Sequence, residues 1–311
     1  MIEHIARTFA PTPVYLLETD ENGNRFYIKR EDLLPYSFGG NKARIGLEYM
    51  RDMSAKGCNH MVAYGNARSN LCRVLANLCA GAGVPITILS PADDDGERRE
   101  AFNGTLCERF GARIVPCLKT NVAQTVSETL ESIRAQGGVP YYIYGDCTGC
   151  GNEAVPVRAY AEAGRELPDA DVIVLALGTG MTQAGILCSQ IGREDAPEVL
   201  GISIARDEEN AKTHIRRYIR AWTDENGGSV PDEKIHVCGR FRSGYGQYDE
   251  AVSETIRDMM ARHGIPLDGT YTGKAWYGMR TLAREEGWKN RRVLFLHTGG
   301  TPLFFDSQRS K

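Results

Sequence analysis

Lys42 ends a short glycine-containing segment, FGGNK at positions 38–42, which lies between a predicted strand and a predicted helix. Paired glycines let the backbone approach a bound group closely. A lysine that is shielded from water at the start of a helix has a lowered pKa and is therefore a better nucleophile. The segment alone fits either a nucleophilic lysine or a solvated surface lysine. Other segments of the chain are needed to distinguish these two alternatives.

A second glycine-rich segment, GTGMTQAG at 178–185, directly follows the apolar run VIVLAL and opens another predicted helix. Backbone N–H groups and threonine hydroxyls converge there, as in sites that bind anions at a helix N-terminus. The segment matches neither the P-loop nor the dinucleotide-binding pattern. It is either a phosphate site or a structural turn.

Three more polar segments follow predicted strands or precede predicted helices. GNARSN at 65–70 offers backbone amides and the Arg68 side chain to a carboxylate, although Ser69 or Asn70 would also serve simply as a helix cap. YTGK at 271–274 and HTGG at 297–300 are further candidates for a site, or ordinary loops.

The elements that position these segments alternate between strands and helices. Apolar stripes such as Leu71, Leu75 and Leu78 predict amphipathic helices. Repeated strand–helix–strand units predict an α/β protein with mainly parallel sheets. The predicted strands are Arg25–Lys29, His60–Tyr64, Ile86–Leu89, Arg113–Val115, Val172–Leu177, Val199–Ile204 and Val293–Leu296.

Composition narrows the class of function. The 311 residues carry 37 basic and 40 acidic side chains, a net charge of −3, so no nucleic-acid or membrane partner is predicted from charge. No apolar run approaches the roughly 20 residues that span a bilayer, and a cytoplasmic location is expected. Nine cysteines without a regular framework fit reduced thiols.

Taken together and in this order, the five segments resemble the D-cysteine desulfhydrase and 1-aminocyclopropane-1-carboxylate deaminase family of pyridoxal-phosphate enzymes. The most specific matches are the stretch from IKRED to GGNKAR, the SN pair, YTGKAWYGM and HTGG. The resemblance implies the tryptophan-synthase-β-like fold (fold type II), with two open twisted, mainly parallel sheets. It implies a large domain of residues 1–44 and 151–311, a small domain of 45–150, and the cofactor in the cleft between them.

The resemblance also implies roles for individual residues. Lys42 would hold pyridoxal 5'-phosphate as a Schiff base, and Ser69, Tyr245 and Tyr271 would be the other catalytic residues. Substrate would be bound by Arg68, Ser69 and Asn70. Besides Lys42, the cofactor-binding residues would be Asn70, Gly178, Thr179, Gly180, Met181, Thr182, Thr272 and Thr298.

Thr298, with Thr272 nearby, would lie against the pyridine nitrogen. A neutral hydroxyl does little to keep that nitrogen protonated, which favours prompt loss of a β-substituent. The deaminases that open a cyclopropane ring have Glu after the active-site tyrosine, whereas here Thr272 follows Tyr271, so the desulfhydrase branch is closer.

Two positions depart from the family pattern. Arg68 replaces a glutamine and adds a cation where a substrate carboxylate is expected, which suggests a substrate with an extra acidic group. Ile45 replaces a lysine expected near the phosphate, so the 178–182 segment would rely more on its backbone amides. Cys72 stands where the family often has a polar side chain and would border the substrate pocket.

Cys147-x-x-Cys150 has no second Cys or His pair at zinc-ligand spacing, and no metal is predicted. The predicted function is β-elimination from a small β-substituted amino acid, which yields a keto acid and ammonia, by a homodimer. Alternatives are a β-replacement synthase, a 1-aminocyclopropane-1-carboxylate deaminase, and a non-catalytic cofactor- or amino-acid-binding protein. A nicotinamide dehydrogenase is less favoured, because no complete dinucleotide fingerprint follows the first strand.

Overall fold

The computed structural model describes residues 9–92 and 100–308. Their strands are β1 (Val14–Thr19), β2 (Arg25–Arg30), β3 (His60–Tyr64), β4 (Ile86–Pro91), β5 (Arg113–Cys117), β6 (Pro140–Tyr142), β7 (Val172–Leu177), β8 (Glu198–Ser203), β9 (His236–Cys238) and β10 (Arg292–His297). Their helices are α1 (Asn41–Ala55), α2 (Asn70–Ala82), α3 (Phe102–Arg109), α4 (Val122–Ala135), α5 (Ala154–Ala163), α6 (Met181–Ser189), α7 (Glu208–Asn226), α8 (Glu250–His263), α9 (Thr272–Glu285) and α10 (Thr301–Gln308).

The described residues divide into two compact units. Unit 1 contains residues 35–37, 42–92 and 100–156 together with Phe9, and unit 2 contains residues 10–34, 38–41 and 157–308. Lys42 therefore opens the long segment of unit 1, directly after a short segment of unit 2. The division into domains that the resemblance implies, 45–150 against the remainder, stays a prediction.

Unit 1 is built on a four-stranded parallel sheet in the order β5-β4-β3-β6. Helix α2 carries the predicted apolar stripe, and Leu71, Leu75 and Leu78 are all buried. The apolar face of α4 is buried at Val126, Leu130 and Ile133. The stripe of α2 confirms the helical periodicity predicted from the sequence, and α4 buries one face in the same way.

Unit 2 is built on a six-stranded sheet in the order β1-β2-β10-β7-β8-β9. Only β1 runs antiparallel to its neighbour among the paired strands of this sheet in the described residues. Every residue of β7 is buried. This is expected when an unbroken apolar run such as VIVLAL forms a strand that is covered on both faces. The α/β class with mainly parallel sheets is confirmed.

Most predicted strands are found, with small shifts at their ends. β3 and β7 have the predicted bounds, whereas β8 begins and ends one residue earlier than predicted. The prediction missed β1, β6 and β9. β6 and β9 have only three residues each, and all three strands lie at sheet edges, where the alternation of burial that marks a strand is weak.

Parallel pairing in unit 2 brings three loops to one edge of the sheet. Leu177, the last residue of β7, pairs with Ser203, the last residue of β8. β10 runs parallel to β7 as well. The segments that follow these strands therefore start side by side, at the carboxyl edge where α/β proteins place their ligands. No helix of the described residues is long and apolar enough to cross a membrane.

Candidate active site

The loop that leads into α1 has an uncommon backbone conformation. Tyr36, Ser37 and Phe38 have φ values of 70°, 53° and 65°, and Gly39 and Gly40 continue with 63° and 96°. A non-glycine residue in this left-handed region costs roughly 1–2 kcal/mol, so the surrounding structure must hold the loop in place. Strained backbone of this kind is concentrated at functional sites.

Gly40 anchors that loop to the segment after β10. A Cβ on Gly40 would lie 2.8 Å from the carbonyl oxygen of Thr298, and a Cβ on Gly299 would lie 2.5 Å from the Cα of Gly40. The two backbones are therefore in contact, which side chains would prevent. The amide of Gly40 also donates to the carbonyl oxygen of Glu31 at 2.9 Å. The structure thus brings the GGNK and HTGG segments together.

Asn41 ties the start of α1 to two other predicted segments. Its amide donates to the carbonyl oxygen of Thr298 at 3.1 Å, and its Nδ2 donates to the hydroxyl of Thr182 at 2.8 Å. Asn41 is not among the predicted site residues, although it stands beside Lys42. These bonds fix where α1 begins, and hence the backbone position from which Lys42 extends.

Lys42 is the second residue of α1 and is partly buried. Burial lowers the pKa of Lys42 to about 8. Near pH 7.5, about a quarter of such an amine is neutral, against about 0.1% for a lysine with an unperturbed pKa. Only the neutral amine is a nucleophile, so this pKa suits the role that the sequence predicts.

The segment 178–182, called the cup below, begins where β7 ends and runs into α6. Gly180 has a φ of 93°, and a Cβ on it would lie 2.8 Å from Ile215 of α7. The first N–H groups of a helix have no partner within the helix, so the cup offers backbone donors. Thr182 is buried, and its hydroxyl accepts the bond from Asn41.

Two tyrosines lie next to the cup in unit 2. The phenolic oxygens of Tyr245 and Tyr271 are 2.7 Å apart, and their rings meet edge to face at 84°. A Cβ on Gly178 would lie 3.3 Å from the Tyr271 ring, so this ring packs against the first residue of the cup. The structure therefore brings both predicted tyrosines together, close enough to pass a proton between them.

Buried charged residues hold this tyrosine pair in place. Oδ1 of Asp268 accepts from the amides of Thr270 and Tyr271, each at 2.8 Å. Nζ of Lys274 donates at 2.7 Å to the carbonyl oxygen of Gly244, the residue directly before Tyr245. Burial raises the pKa of Asp268 and lowers that of Lys274 to about 8. Asp268 is not among the predicted site residues, and its only signal in the sequence is its place four residues before the first residue of α9.

The two threonines predicted near the cofactor ring, Thr272 and Thr298, are both buried. Thr272 starts α9, and its hydroxyl donates to Asp268 Oδ2 and accepts from the Asp268 amide, both at 2.9 Å. Thr298 follows β10, and its carbonyl oxygen accepts from Asn41. The single O–H of Thr272 is thus used within the protein. The contact of either threonine with a ring nitrogen stays a prediction.

In unit 1, Ser69 and Asn70 begin α2. Ser69 is the N-cap, and its Oγ accepts from the Cys72 amide at 3.2 Å, which confirms the predicted capping role. Oδ1 of Asn70 accepts from Nδ2 of Asn103 at 2.9 Å and from Arg73 at 3.4 Å. Burial lowers the pKa of Arg73 to about 10. The catalytic and binding roles of Ser69 and Asn70 stay predictions.

Arg68 is held through its backbone. Its amide donates to Oδ1 of Asn66, and its carbonyl oxygen accepts from Asn103, both at 3.0 Å. The side chain is partly buried, and its predicted binding of a carboxylate stays a prediction. Ile45, which replaces a lysine of the family pattern, is fully buried. It is therefore a core residue of unit 1.

The cysteines differ sharply in exposure. Cys72 is buried, a Cβ on Gly65 would lie 2.8 Å from its Sγ, and burial raises its pKa to about 11. This thiol is inert at neutral pH. Cys147 and Cys150 are exposed, in a loop closed by a bridge between Gly145 and Gly151. No group of three or more metal-ligating side chains occurs among the residues described.

Comparison with known proteins identifies the family. The family model described as "Pyridoxal-phosphate dependent enzyme" matches residues 5–299. The chain belongs to this family. Pyridoxal phosphate is therefore its cofactor, as the resemblance implied.

Members of the pyridoxal-phosphate family with similar sequences include two kinds of enzyme. The chain is 30% identical over 319 residues to 1-aminocyclopropane-1-carboxylate deaminase of Burkholderia ambifaria, covering 95% of this chain and 93% of the relative. It is 29% identical over 312 residues to D-cysteine desulfhydrase of Klebsiella pneumoniae, with the same coverage. The two names are those of the family that the sequence motifs resemble.

Solved structures agree with this assignment. A crystal structure of an ACC deaminase homologue superposes with a TM-score of 0.84 at 25% identity, over 98% of this chain and 95% of that chain. O-ureido-L-serine synthase superposes with a TM-score of 0.66 at 17% identity, over 100% and 96%, and shows the shared fold only. The fold-type-II class predicted from the sequence is confirmed.

The residues of unit 2 fit the cofactor of this family. The cup has glycines at 178 and 180, where the backbone must approach Tyr271 and Ile215 closely, and it ends in a helix N-terminus that suits a phosphate. Lys42, one residue beyond unit 2, has the lowered pKa that covalent attachment of an aldehyde needs. The chemistry of these donors therefore matches a phosphorylated aldehyde.

Proposed function

We propose that this protein is a lyase that uses pyridoxal phosphate to eliminate the β-substituent of a small amino acid, as a D-cysteine desulfhydrase does, and releases a keto acid and ammonia. The observation that carries the proposal is Lys42 with a pKa near 8, beside an asparagine that is bonded to the cup. The names of the relatives support the same class of reaction. We further propose a cytoplasmic homodimer.

When bound, pyridoxal phosphate supplies an electron sink that stabilises negative charge at the substrate Cα. We propose that the cup binds its phosphate through the backbone of Gly178, Thr179, Gly180, Met181 and Thr182. Asn70 and the hydroxyl of Thr298, with Thr272 nearby, would complete the binding site. The hydrogen bond from Asn41 to the hydroxyl of Thr182 fixes the position of the cup relative to residue 41, the first residue of α1.

Lys42 would take the proton from the substrate Cα through Nζ. Its lowered pKa makes a neutral, proton-accepting amine available near neutral pH, which is the requirement for a general base. Ser69 would assist at the same proton, and Arg68 with Asn70 would bind the substrate carboxylate. An additional acidic group on the substrate would suit the positive charge of Arg68.

The tyrosine pair would deliver a proton to the leaving group. Tyr245 and Tyr271 are bonded to each other, so either phenol can be reprotonated by its neighbour after giving up a proton. Thr272 follows Tyr271 in place of the glutamate of cyclopropane-opening deaminases, and its hydroxyl is bonded to Asp268. This arrangement favours elimination over ring opening.

Product analysis tests the proposal. The purified holoenzyme is supplied separately with D-cysteine, L-cysteine, both enantiomers of β-chloroalanine, and 1-aminocyclopropane-1-carboxylate. We expect ammonia and a three-carbon keto acid from one enantiomer of the β-substituted substrates. A four-carbon keto acid from the cyclopropane substrate alone would identify a deaminase instead, the activity named for the Burkholderia relative.

Two controls separate the remaining alternatives. Addition of a thiol or an amine diverts the product to a new amino acid if the enzyme is a β-replacement synthase. Bound cofactor without turnover on any of these substrates would contradict the lyase proposal and favour a binding protein.

Arg68→Gln should lower activity mainly on substrates with a second acidic group, and equal losses on all substrates would contradict its proposed role.

A further inference from the structure

Arg206 contacts the first residue of the cup. One guanidinium nitrogen of Arg206 donates to the carbonyl oxygen of Gly178, the first residue of the cup. No cis peptide bond occurs in the described residues, so the carbonyl of Gly178 and the N–H of Thr179 point in opposite directions. The bond from Arg206 therefore aims the Thr179 N–H away from the guanidinium.

The fold explains how a residue so distant in sequence reaches the cup. Leu177 and Ser203 end two neighbouring parallel strands, β7 and β8, in the same register. The cup leaves the sheet after the first strand, and Arg206 follows the second by three residues. The buried hydroxyl of Ser203 donates to the carbonyl oxygen of Arg206 at 2.7 Å, which folds this segment into a tight turn. The position of Arg206 is thus built into the sheet edge.

Side chains of both charges lie near Arg206 in the sequence, because Asp207, Glu208 and Glu209 follow it at the start of α7. Asp207, the next residue, uses its carboxylate as the N-cap of α7 and accepts from the Asn210 amide at 2.8 Å. Burial lowers the pKa of His214, and the charges of Arg206 and Arg217 lower it further. His214 is therefore mainly neutral at pH 7 and adds little positive charge here.

We propose that Arg206 sets the affinity of this enzyme for the phosphate of its cofactor. It acts as a positioning residue, because it orients and polarises the Gly178–Thr179 peptide, and its charge adds to the field at the cup. The inference rests on the proposed placement of the phosphate at the cup. The segment 178–182 has no charged side chain of its own. Arg206, just after β8, would therefore supply the positive charge at the cup.

Cofactor affinity, measured without turnover, tests this inference. Apo-protein is titrated with pyridoxal 5'-phosphate and with pyridoxal, and binding is followed by the visible absorbance and by tryptophan fluorescence. For Arg206→Gln we expect the Kd for pyridoxal phosphate to rise about tenfold or more, the scale of one lost charge-assisted contact. The Kd for pyridoxal should change less than about twofold. The inhibition constant of inorganic phosphate, measured in competition with pyridoxal phosphate, should also rise.

Two comparison variants make the result decisive. Arg206→Lys retains the charge and should restore part of the lost affinity. Arg220→Gln removes a largely exposed charge from α7 and should leave both Kd values unchanged. Equal weakening of pyridoxal and pyridoxal phosphate by Arg206→Gln, or no weakening of either, would overturn the inference.

Thr182→Val separates this inference from the proposal beneath it. If Thr182→Val weakens binding of the phosphorylated cofactor and Arg206→Gln does not, the cup is the phosphate site and the role of Arg206 is wrong. If neither variant changes the preference for pyridoxal phosphate over pyridoxal, the placement of the phosphate is wrong as well. The lyase reaction is tested independently by the products.

Discussion

Replacement of Lys274 by methionine should weaken both the stability of unit 2 and the function of the tyrosine pair. The Nζ atom of this fully buried lysine donates to the carbonyl oxygens of Gly244, at 2.7 Å, and Ile204, at 3.3 Å. Each of these two hydrogen bonds contributes about 1 kcal/mol, and methionine restores most of the buried volume. Burial of the charge offsets this gain below about pH 8, so we expect the free energy of unfolding to fall by about 2 kcal/mol at pH 9.5, where the folded-state amine is neutral.

The pH dependence gives this prediction a second, independent readout. Burial lowers the pKa of Lys274 to about 8, whereas the unfolded chain has a pKa near its usual value of about 10.4. Between these values the unfolded state binds more protons, so stability gained from this residue increases as the pH rises. The stability difference between wild type and Lys274→Met should thus be larger at pH 9.5 than at pH 7, by about 2 kcal/mol.

Urea denaturation followed by tryptophan fluorescence is the appropriate assay, because Trp222, Trp276 and Trp288 all belong to unit 2. Loss of the tie at Gly244 should also lower kcat about tenfold or more, since misplaced catalytic groups are costly. Lys289→Met, which removes an exposed lysine, is the matched control. Unchanged stability and unchanged kcat in Lys274→Met would refute the reasoning.

Three further predictions follow from burial and hydrogen bonding. In the apo-protein, acylation of Lys42, followed by peptide mass spectrometry, should reach half its maximal rate near pH 8, because only the neutral amine reacts; half-maximal reaction above pH 10 would contradict this. Tyr160→Phe should cost about 1.5–3 kcal/mol in urea denaturation, because its hydroxyl donates to the buried carboxylate of Glu31 at 2.6 Å; a loss below about 0.5 kcal/mol would mean that the bond contributes little. A bulky thiol reagent should label the exposed Cys147 and Cys150 first in the native protein, and earlier labelling of the buried thiols would contradict the burial pattern.

Local patterns in the sequence were enough to predict the main elements. The all-buried strand β7 and the stripe at Leu71, Leu75 and Leu78 were predicted because burial imposes a period that neighbouring residues share. β6 and β9 were missed because three residues do not establish a period. Their pairing depends on a neighbouring strand that the local sequence does not specify.

The same distinction separates the predicted site residues from the missed ones. Lys42 and the cup are marked by glycines that precede helices, which is a local signal. Asn41 and Asp268 are ordinary residue types whose importance comes from their partners, Thr182 and the amides at the start of α9. Lys274 stood inside a quoted motif, yet its partners lie 30 and 70 residues away in the chain.

The replacement at position 45 shows why a missing motif residue is weak grounds for lost function. With Ile45 in place of a cation, the sequence predicts that the cup depends more on its own amides. The structure adds a contact from Arg206 to Gly178 that comes from a different strand. At the carboxyl edge of a parallel sheet, every strand that ends there can supply a side chain to the same ligand. A charge absent from one segment can therefore be supplied by another, and only the register of the sheet reveals which one.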